Sequence, residues 1–122
     1  MPRSGQADRL EPRLPAHVEV GALIRRVGAE GGFASVLHKG EADAGTVLLV
    51  LTERGVNARV YERMPDAQGH RPWTRSRVEN PADRQELSDW LDRRAANDPD
   101  LWIVELDIAD GERFIGLTGS AG

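Results

Sequence analysis

The chain has 122 residues, enough for one domain that buries a core without disulfide or metal support. It contains no cysteine, which excludes disulfide scaffolds, thiolate metal sites, iron–sulfur clusters and cysteine nucleophiles. The net charge of −4 disfavours generic binding to a phosphate backbone, and the longest apolar run, "TVLLVL", is far shorter than the roughly 20 residues of a membrane helix. We therefore expect a cytoplasmic protein that makes no contact with a membrane.

The first predicted element is an amphipathic helix. Pro15 suits the first turn of a helix, and Gly31 and Gly32 end it. Apolar residues recur between them at the i, i+3, i+4, i+7 spacing of one buried stripe. They are Val20, Leu23, Ile24 and Val27.

Two apolar runs follow, on either side of a loop that contains glycine. "FASVLHK" alternates as a strand does, whereas "TVLLVLT" is a continuous run typical of a central strand covered on both faces. The segment between them, "HKGEADAG" at residues 38–45, has the composition of a hairpin connection. We expect the two runs to pair as a hairpin.

The second half of the chain begins with another predicted hairpin. "ARVYERM" and "RPWTRSRV" alternate with period two, and "PDAQGH" between them supplies turn residues. Asn80 and Pro81 then mark the N-cap and first position of a second helix. Its apolar stripe contains Leu87, Trp90 and Leu91. Pro99 ends this helix, and "LWIVELDI" is the last strand.

The predicted order of elements is α-β-β-β-β-α-β. Hairpins followed by a helix and a returning strand favour an α+β domain, with a mostly antiparallel sheet of about five strands and two helices on one face. The return through the second helix could insert one parallel pair of strands. We expect a flexible arm at residues 1–13, a single domain at 14–116 and a flexible tail at 117–122.

Three stretches of the sequence carry a family resemblance. They are "EVGALIRRVGAEGGFASVLHKGEADAGTVLLVL", "VYERM" and "DPDLWIVELD". Together they resemble the alphaproteobacterial domain-of-unknown-function family 1491, a group of small single-domain bacterial proteins, from about Leu14 to about Phe114. The resemblance implies the domain limits and the architecture. It implies no reaction, cofactor, partner or catalytic residue, because none is assigned to the family.

Standard catalytic and cofactor motifs are absent from the sequence. It has no phosphate-binding loop ending in Gly-Lys-Ser/Thr, no dinucleotide fingerprint, no His-Glu-x-x-His pair and no Gly-x-Ser-x-Gly elbow. His17, His38 and His70 are too far apart in sequence to form a local metal-ligand pattern. A carboxylate pair such as Glu105 and Asp107 could run acid–base chemistry only if one member were desolvated. We therefore expect no cofactor and no metal, and catalysis is not indicated.

The first candidate site is the 38–45 loop. Its polar side chains are His38, Lys39, Glu41 and Asp43. Gly40 and Gly45 permit positive φ, and the backbone N–H groups of such a turn could hold an anion beside the lysine. The two carboxylates and one ammonium give a net charge of 1 − 2 = −1, which opposes anion binding. The alternative is a structural turn in which Asp43 accepts the backbone N–H bonds.

The second candidate is a basic, aromatic sheet face on the predicted hairpin. If side chains alternate along both strands, one face collects Arg59, Tyr61, Arg63, Arg71, Trp73, Arg75 and Arg77. Aromatic rings among arginines can stack on the bases of single-stranded nucleic acid, but arginine stems over rings also form an ordinary solvated sheet face. Residues 79–112 hold three arginines and eleven acids, a balance of 3 − 11 = −8, so the basic face could instead meet the acidic half of a second copy.

We interpret the sequence as a non-catalytic binding or regulatory module that acts through protein partners, with a homodimer as one form of that interaction. The alternative hypothesis is a nucleic-acid-binding accessory protein that uses residues 59–77. A third hypothesis is a small-molecule enzyme with its site near the 38–45 loop.

Overall fold

A computed structural model describes residues 14–117 and shows the two helices and five strands in the predicted order. The elements are α1 (Ala16–Ala29), β1 (Phe33–His38), β2 (Val47–Glu53), β3 (Val56–Arg63), β4 (Trp73–Val78), α2 (Arg84–Asn97), β5 (Trp102–Asp107) and a short 3-10 helix, η1 (Gly111–Ile115). The α+β prediction is confirmed. The predicted arm and the last five residues, 118–122, lie outside the described part of the chain. Within that part, no helix combines the length and the apolar character needed to cross a membrane.

The five strands form a mixed sheet in the order β1-β5-β2-β3-β4. β5 runs parallel to β2, and the other neighbouring strands are antiparallel. The predicted hairpin of β1 with β2 is therefore wrong, because β5 lies between them. The physical reason is burial, since β2 and β5 are the most apolar strands and the centre of the sheet hides both of their faces. The parallel pair that the return through α2 could insert is present.

The two helices pack on opposite faces of the sheet, so the prediction that both lie on one face is also wrong. Along β2, Val47, Leu49 and Leu51 belong to the core beneath α1. The intervening Leu48 and Val50 belong to a second core beneath α2. A strand that is apolar at every position has two faces to cover, and one helix layer can cover only one of them.

The helix boundaries follow the predicted signals at three of four ends. α1 buries Ala16, Val20, Leu23 and Val27, and it ends before Gly31, whose φ is +90°. α2 ends at Asn97, before Pro99, but it begins at Arg84 instead of at Pro81. Asn80 is not its N-cap, because its side-chain oxygen accepts the N–H of Ala82 at 2.9 Å and closes a separate turn.

Candidate functional site

The 38–45 loop caps the N-terminus of α1. The carbonyl oxygens of Ala42 and Asp43 accept hydrogen bonds from the backbone N–H groups of His17 (2.9 Å) and Ala16 (3.1 Å). N–H groups in the first turn of a helix have no partner within the helix, and Pro15 offers no capping side chain. The loop therefore supplies a cap that the helix sequence lacks.

Gly40 and Gly45 serve close packing and not positive φ. A Cβ atom at Gly40 would lie 2.1 Å from the carbonyl oxygen of Asp100, and one at Gly45 would lie 2.5 Å from the same atom. Neither glycine has positive φ. The N–H of Glu41 donates to that Asp100 carbonyl at 3.1 Å, and Trp102 Nε1 donates to the Glu41 carbonyl at 2.8 Å. The loop backbone is thus held against the start of β5.

Glu41, and not Asp43, satisfies the backbone of this loop. Its Oε1 accepts the N–H of Asp43 at 3.1 Å and the N–H of Ala44 at 2.5 Å. The Asp43 side chain is 77% exposed, with its Oδ1 4.0 Å from His17 Nδ1. The prediction for Asp43 is wrong because the longer glutamate side chain reaches the N–H groups two and three residues ahead. Those two N–H groups are consequently not available to an anion.

His38 contacts the start of β5 and lies beside α2. Its Nδ1 lies 2.6 Å from the carbonyl oxygen of Leu101, and because a carbonyl oxygen can only accept, Nδ1 donates this hydrogen bond. The ring lines a groove of about 320 Å³ between β1 and α2, whose other lining residues include Ser88, Leu91 and Asp92. Of the four predicted residues of this loop, His38 alone lines this groove.

Glu112 in η1 neutralises one end of the predicted basic face. Its two carboxylate oxygens accept Arg59 Nε and Nη2, each at 2.8 Å, and Oε2 also accepts the Tyr61 hydroxyl at 2.9 Å. The Arg59 and Glu112 side chains are only 13% and 15% exposed. Burial alone would raise the pKa of Glu112, but these hydrogen bonds outweigh it and hold the pKa below the ordinary 4.5. Burial, together with the bond to Glu112, raises the pKa of Tyr61. Arg59 and Tyr61 thus anchor η1 to the sheet.

Arg63 and Trp73 contact each other on the same face. The Arg63 guanidinium lies 4.3 Å from the centre of the Trp73 ring, and it forms a bidentate pair with Glu19 of α1, in which Nη1 lies 3.0 Å from Oε1. Trp73 also packs against the core beneath α1. One face of this ring is therefore covered by a guanidinium whose charge is already paired.

A β-bulge moves Arg77 to the other face of the sheet. The bulge lies between the pairs Tyr61–Arg75 and Val60–Arg77. Val60 belongs to the core beneath α2, and the Arg77 guanidinium lies 4.4 Å from the centre of the Trp90 ring on α2. The predicted alternation is wrong for Arg77 because a bulge inserts one extra residue and shifts every later side chain.

Two exposed arginines remain of the predicted face. Arg71 precedes β4, and Arg75 lies on it. Neither forms an ion pair or lies over an aromatic ring within residues 14–117. The continuous platform predicted from the sequence is therefore reduced to two separate guanidinium groups.

The carboxylates of the last strand have structural partners. Glu105 Oε2 accepts the Thr52 hydroxyl at 2.7 Å, and Asp107 Oδ1 accepts the N–H of Arg54 at 2.7 Å. Glu105 thus connects β5 to β2, and Asp107 connects β5 to the turn that follows β2.

The two edges of the sheet differ in chemistry. β4 carries Arg75 and Arg77, whereas β1 has no acidic or basic residue other than His38 and no proline. On β1, Phe33 is 76% exposed and Leu37 is 52% exposed. Proteins usually protect edge strands with charges, prolines or bulges, and β1 has only a bulge before His38. The outer side of Phe33–His38, called here the β1 edge, is therefore the less protected edge.

Sequence reasoning missed the β1 edge because it paired β1 with β2. The signal was present in "FASVLH", which contains apolar and uncharged residues on both of its alternating faces. Only the insertion of β5 leaves that strand at the end of the sheet.

Comparisons with known proteins agree on one family. The sequence model described as "Protein of unknown function (DUF1491)" matches residues 14–116. A crystal structure of a DUF1491 family protein from Caulobacter crescentus CB15 is 34% identical, covers 87% of this chain and 98% of its own, and has a TM-score of 0.71.

Two solution structures give the same result. The NMR structure of a DUF1491 family protein from C. crescentus CB15 is 34% identical, covers 86% of this chain and 94% of its own, and has a TM-score of 0.69. A protein from A. tumefaciens is 30% identical over 87% of this chain and 95% of its own, with a TM-score of 0.68. No curated protein matches the chain. The resemblance noted in the sequence is confirmed, and the chain belongs to the DUF1491 family.

Proposed function

We propose that this protein is a non-catalytic binding module that recognises another polypeptide by strand addition at the β1 edge. The observation that supports it is the contrast between the two ends of one sheet. β4 carries two arginines, and β1 carries exposed apolar side chains and no acidic or basic residue except His38. An uncharged edge strand is a template for pairing with another chain.

The chemistry of strand addition divides between backbone and side chains. The N–H and C=O groups of the edge supply main-chain hydrogen bonds that are independent of sequence, and alternate side chains give specificity. Burying the exposed parts of Phe33 and Leu37 would contribute roughly 1 to 2 kcal/mol each. The groove beside Leu37 and His38 would receive a side chain of the added strand.

The nucleic-acid alternative has weaker support. Arg59 and Arg63 are paired with carboxylates, and Arg77 lies over Trp90. Arg71 and Arg75 alone would meet a phosphate backbone, on a chain with net charge −4. Salt-dependent binding of single-stranded DNA that is lost in an Arg71→Ala, Arg75→Ala variant would restore this alternative.

The hypothesis of an enzyme site near the 38–45 loop has weaker support as well. Glu41 Oε1 accepts two N–H groups of the loop backbone, and His38 lines a groove against α2.

The proposed function is tested by capture of partners from native cells with matched variants. Ser35→Lys places a lysine on β1, where its cross-strand neighbour is Glu105. Ser76→Lys places a lysine on β4, where Ser76 already contacts Glu62. Both serines are exposed, and each lysine would meet a glutamate, so both variants should fold.

We expect Ser35→Lys to lose the polypeptides that the native chain captures, because lysine blocks edge pairing, and we expect Ser76→Lys to keep them. Equal capture by the native chain and Ser35→Lys would refute strand addition at the β1 edge.

A further inference from the structure

We propose that the strand added at the β1 edge is β1 of a second copy, paired antiparallel with Ser35 opposite Ser35. This inference rests on the proposed function and names the partner. It predicts a closed dimer with a continuous sheet of ten strands, related by a two-fold axis that passes between the two β1 strands at Ser35.

The residues of β1 are self-complementary in this register. Reversing the strand places Phe33 opposite Leu37 of the second copy and Ala34 opposite Val36. In both pairs a large side chain meets a smaller one, and the central serines meet each other. The bulge falls at Leu37, the last of these five positions.

The faces of the sheet also match in this register. Ser35 and Phe33 lie opposite Glu105 and Asp107 of β5, and Glu105 shares its face with Val50 in the core beneath α2. Leu37 lines the groove against α2 on the same side. Because directly opposite residues of an antiparallel pair lie on one face, Phe33 of each copy would contact Leu37 of the other.

Ala34 and Val36 form the corresponding contact on the other face. They lie opposite Leu106 and Val104, which belong to the core beneath α1. Val36 is 41% exposed at the edge of that core, so the second copy would extend the core across the two-fold axis.

Charge favours this pairing over the other isologous one. β1 paired with itself opposes no like charges, whereas β4 paired with itself would bring two arginines from each copy, Arg75 and Arg77, to one short interface. A contact of β1 with β4 of the next copy is heterologous, so it would build a ring or a filament and not a two-fold dimer.

The expected dimer is weak and depends on concentration. A contact limited to one strand of six residues from each copy would bury less than the roughly 1,200 Å² typical of stable specific complexes. Assembly should therefore be measured as a function of concentration and trapped covalently.

A single cysteine tests the register directly, because the chain contains no cysteine of its own. Opposite residues in an antiparallel pair have Cα atoms about 4.5 to 5.5 Å apart, within the range that a disulfide spans. We expect Ser35→Cys to form a covalent dimer under mild oxidation roughly tenfold or more faster than Ser76→Cys, the matched control on β4. An equal mixture of the two variants detects the β1-to-β4 contact.

Sedimentation equilibrium supplies a second, non-covalent readout. The native chain should rise from 13.4 kDa towards twice that mass with concentration, and so should Ser76→Lys. Ser35→Lys should stay at 13.4 kDa, because its two lysines would face each other across the axis.

The inference is overturned if Ser35→Cys crosslinks no faster than Ser76→Cys, if the mixed disulfide predominates, or if the native mass stays at 13.4 kDa at all concentrations. If Ser35→Lys then still abolishes capture of another polypeptide, the proposed function stands and only the identity of the partner is wrong. If Ser35→Lys changes neither dimerisation nor capture, both proposals fail.

Discussion

The substitution Glu112→Gln should destabilise the fold by about 2 to 3 kcal/mol. The Glu112 carboxylate accepts two hydrogen bonds from Arg59 and one from Tyr61. The change removes its negative charge and retains the shape of the side chain. Glutamine offers one oxygen where the carboxylate offers two, and its amide nitrogen would face the guanidinium. Arg59 would then be a largely buried cation that has lost its bonded carboxylate.

The magnitude follows from the burial of this pair. Removing one partner of a fully buried ion pair costs about 3 to 5 kcal/mol, and a single hydrogen bond to a charged group contributes about 1.5 to 3 kcal/mol. The Arg59 and Glu112 side chains retain 13% and 15% exposure, so water reduces the cost below the fully buried value. For a domain of about 100 residues, 2 to 3 kcal/mol corresponds to a fall in Tm of roughly 8 to 12 °C.

Urea unfolding followed by circular dichroism measures this free energy, and a double-mutant cycle with Arg59→Met isolates the interaction. Because the double variant leaves no unpaired buried charge, it should be more stable than the sum of the two single effects implies, by about 1 to 2 kcal/mol. If Glu112→Gln unfolds within about 0.5 kcal/mol of the native chain, or if the two single effects add, the ion pair is not a main anchor of η1.

Three further predictions concern the pH dependence and the loop. The pKa of Glu112 is lower in the folded chain than in the unfolded chain. Its contribution to the free energy of unfolding is therefore complete above the unfolded pKa near 4.5 and is lost as the pH falls through the folded pKa. Between neutral and acidic pH, the urea midpoint should fall less for Glu112→Gln than for the native chain. Gly40→Ala should lower the free energy of unfolding, measured by thermal unfolding, by about 2 kcal/mol or more, because its Cβ would overlap the Asp100 carbonyl. The control Gly69→Ala, which has open space around it and a φ of +84°, should lower it by only about 1 kcal/mol. Glu41→Ala should lower the free energy of unfolding by about 1 to 2 kcal/mol and speed hydrogen exchange in the loop; unchanged exchange would mean that its carboxylate does not hold the loop.

The residue pattern was enough to predict the two helices, the five strands and their order, but not η1. These predictions rest on local patterns, which do not depend on how distant segments pair. They are the 3.6-residue period of α1, the alternation of β3 and β4, and the unbroken apolar run of β2. The turn between β3 and β4 was predictable for the same reason, since Asp66 bonds the N–H groups of Gln68 and His70 within the turn itself. Membership of the family followed from such stretches of sequence.

The pairing of distant segments decided everything that concerns the candidate site. The placement of β5 between β1 and β2 joins residues more than fifty positions apart, and no local period encodes it. That single pairing leaves β1 at the edge of the sheet, turns the 38–45 loop into a cap for α1, and brings His38 to α2.

The predicted arginine face changed for a related reason. The sequence determined that arginines alternate along two strands, but the bulge beside Tyr61 and the partners Glu19 and Glu112 come from elsewhere in the fold. Strand register and ion pairing depend on which segments come into contact in the tertiary structure. The sequence alone determined only which side chains were available for these contacts.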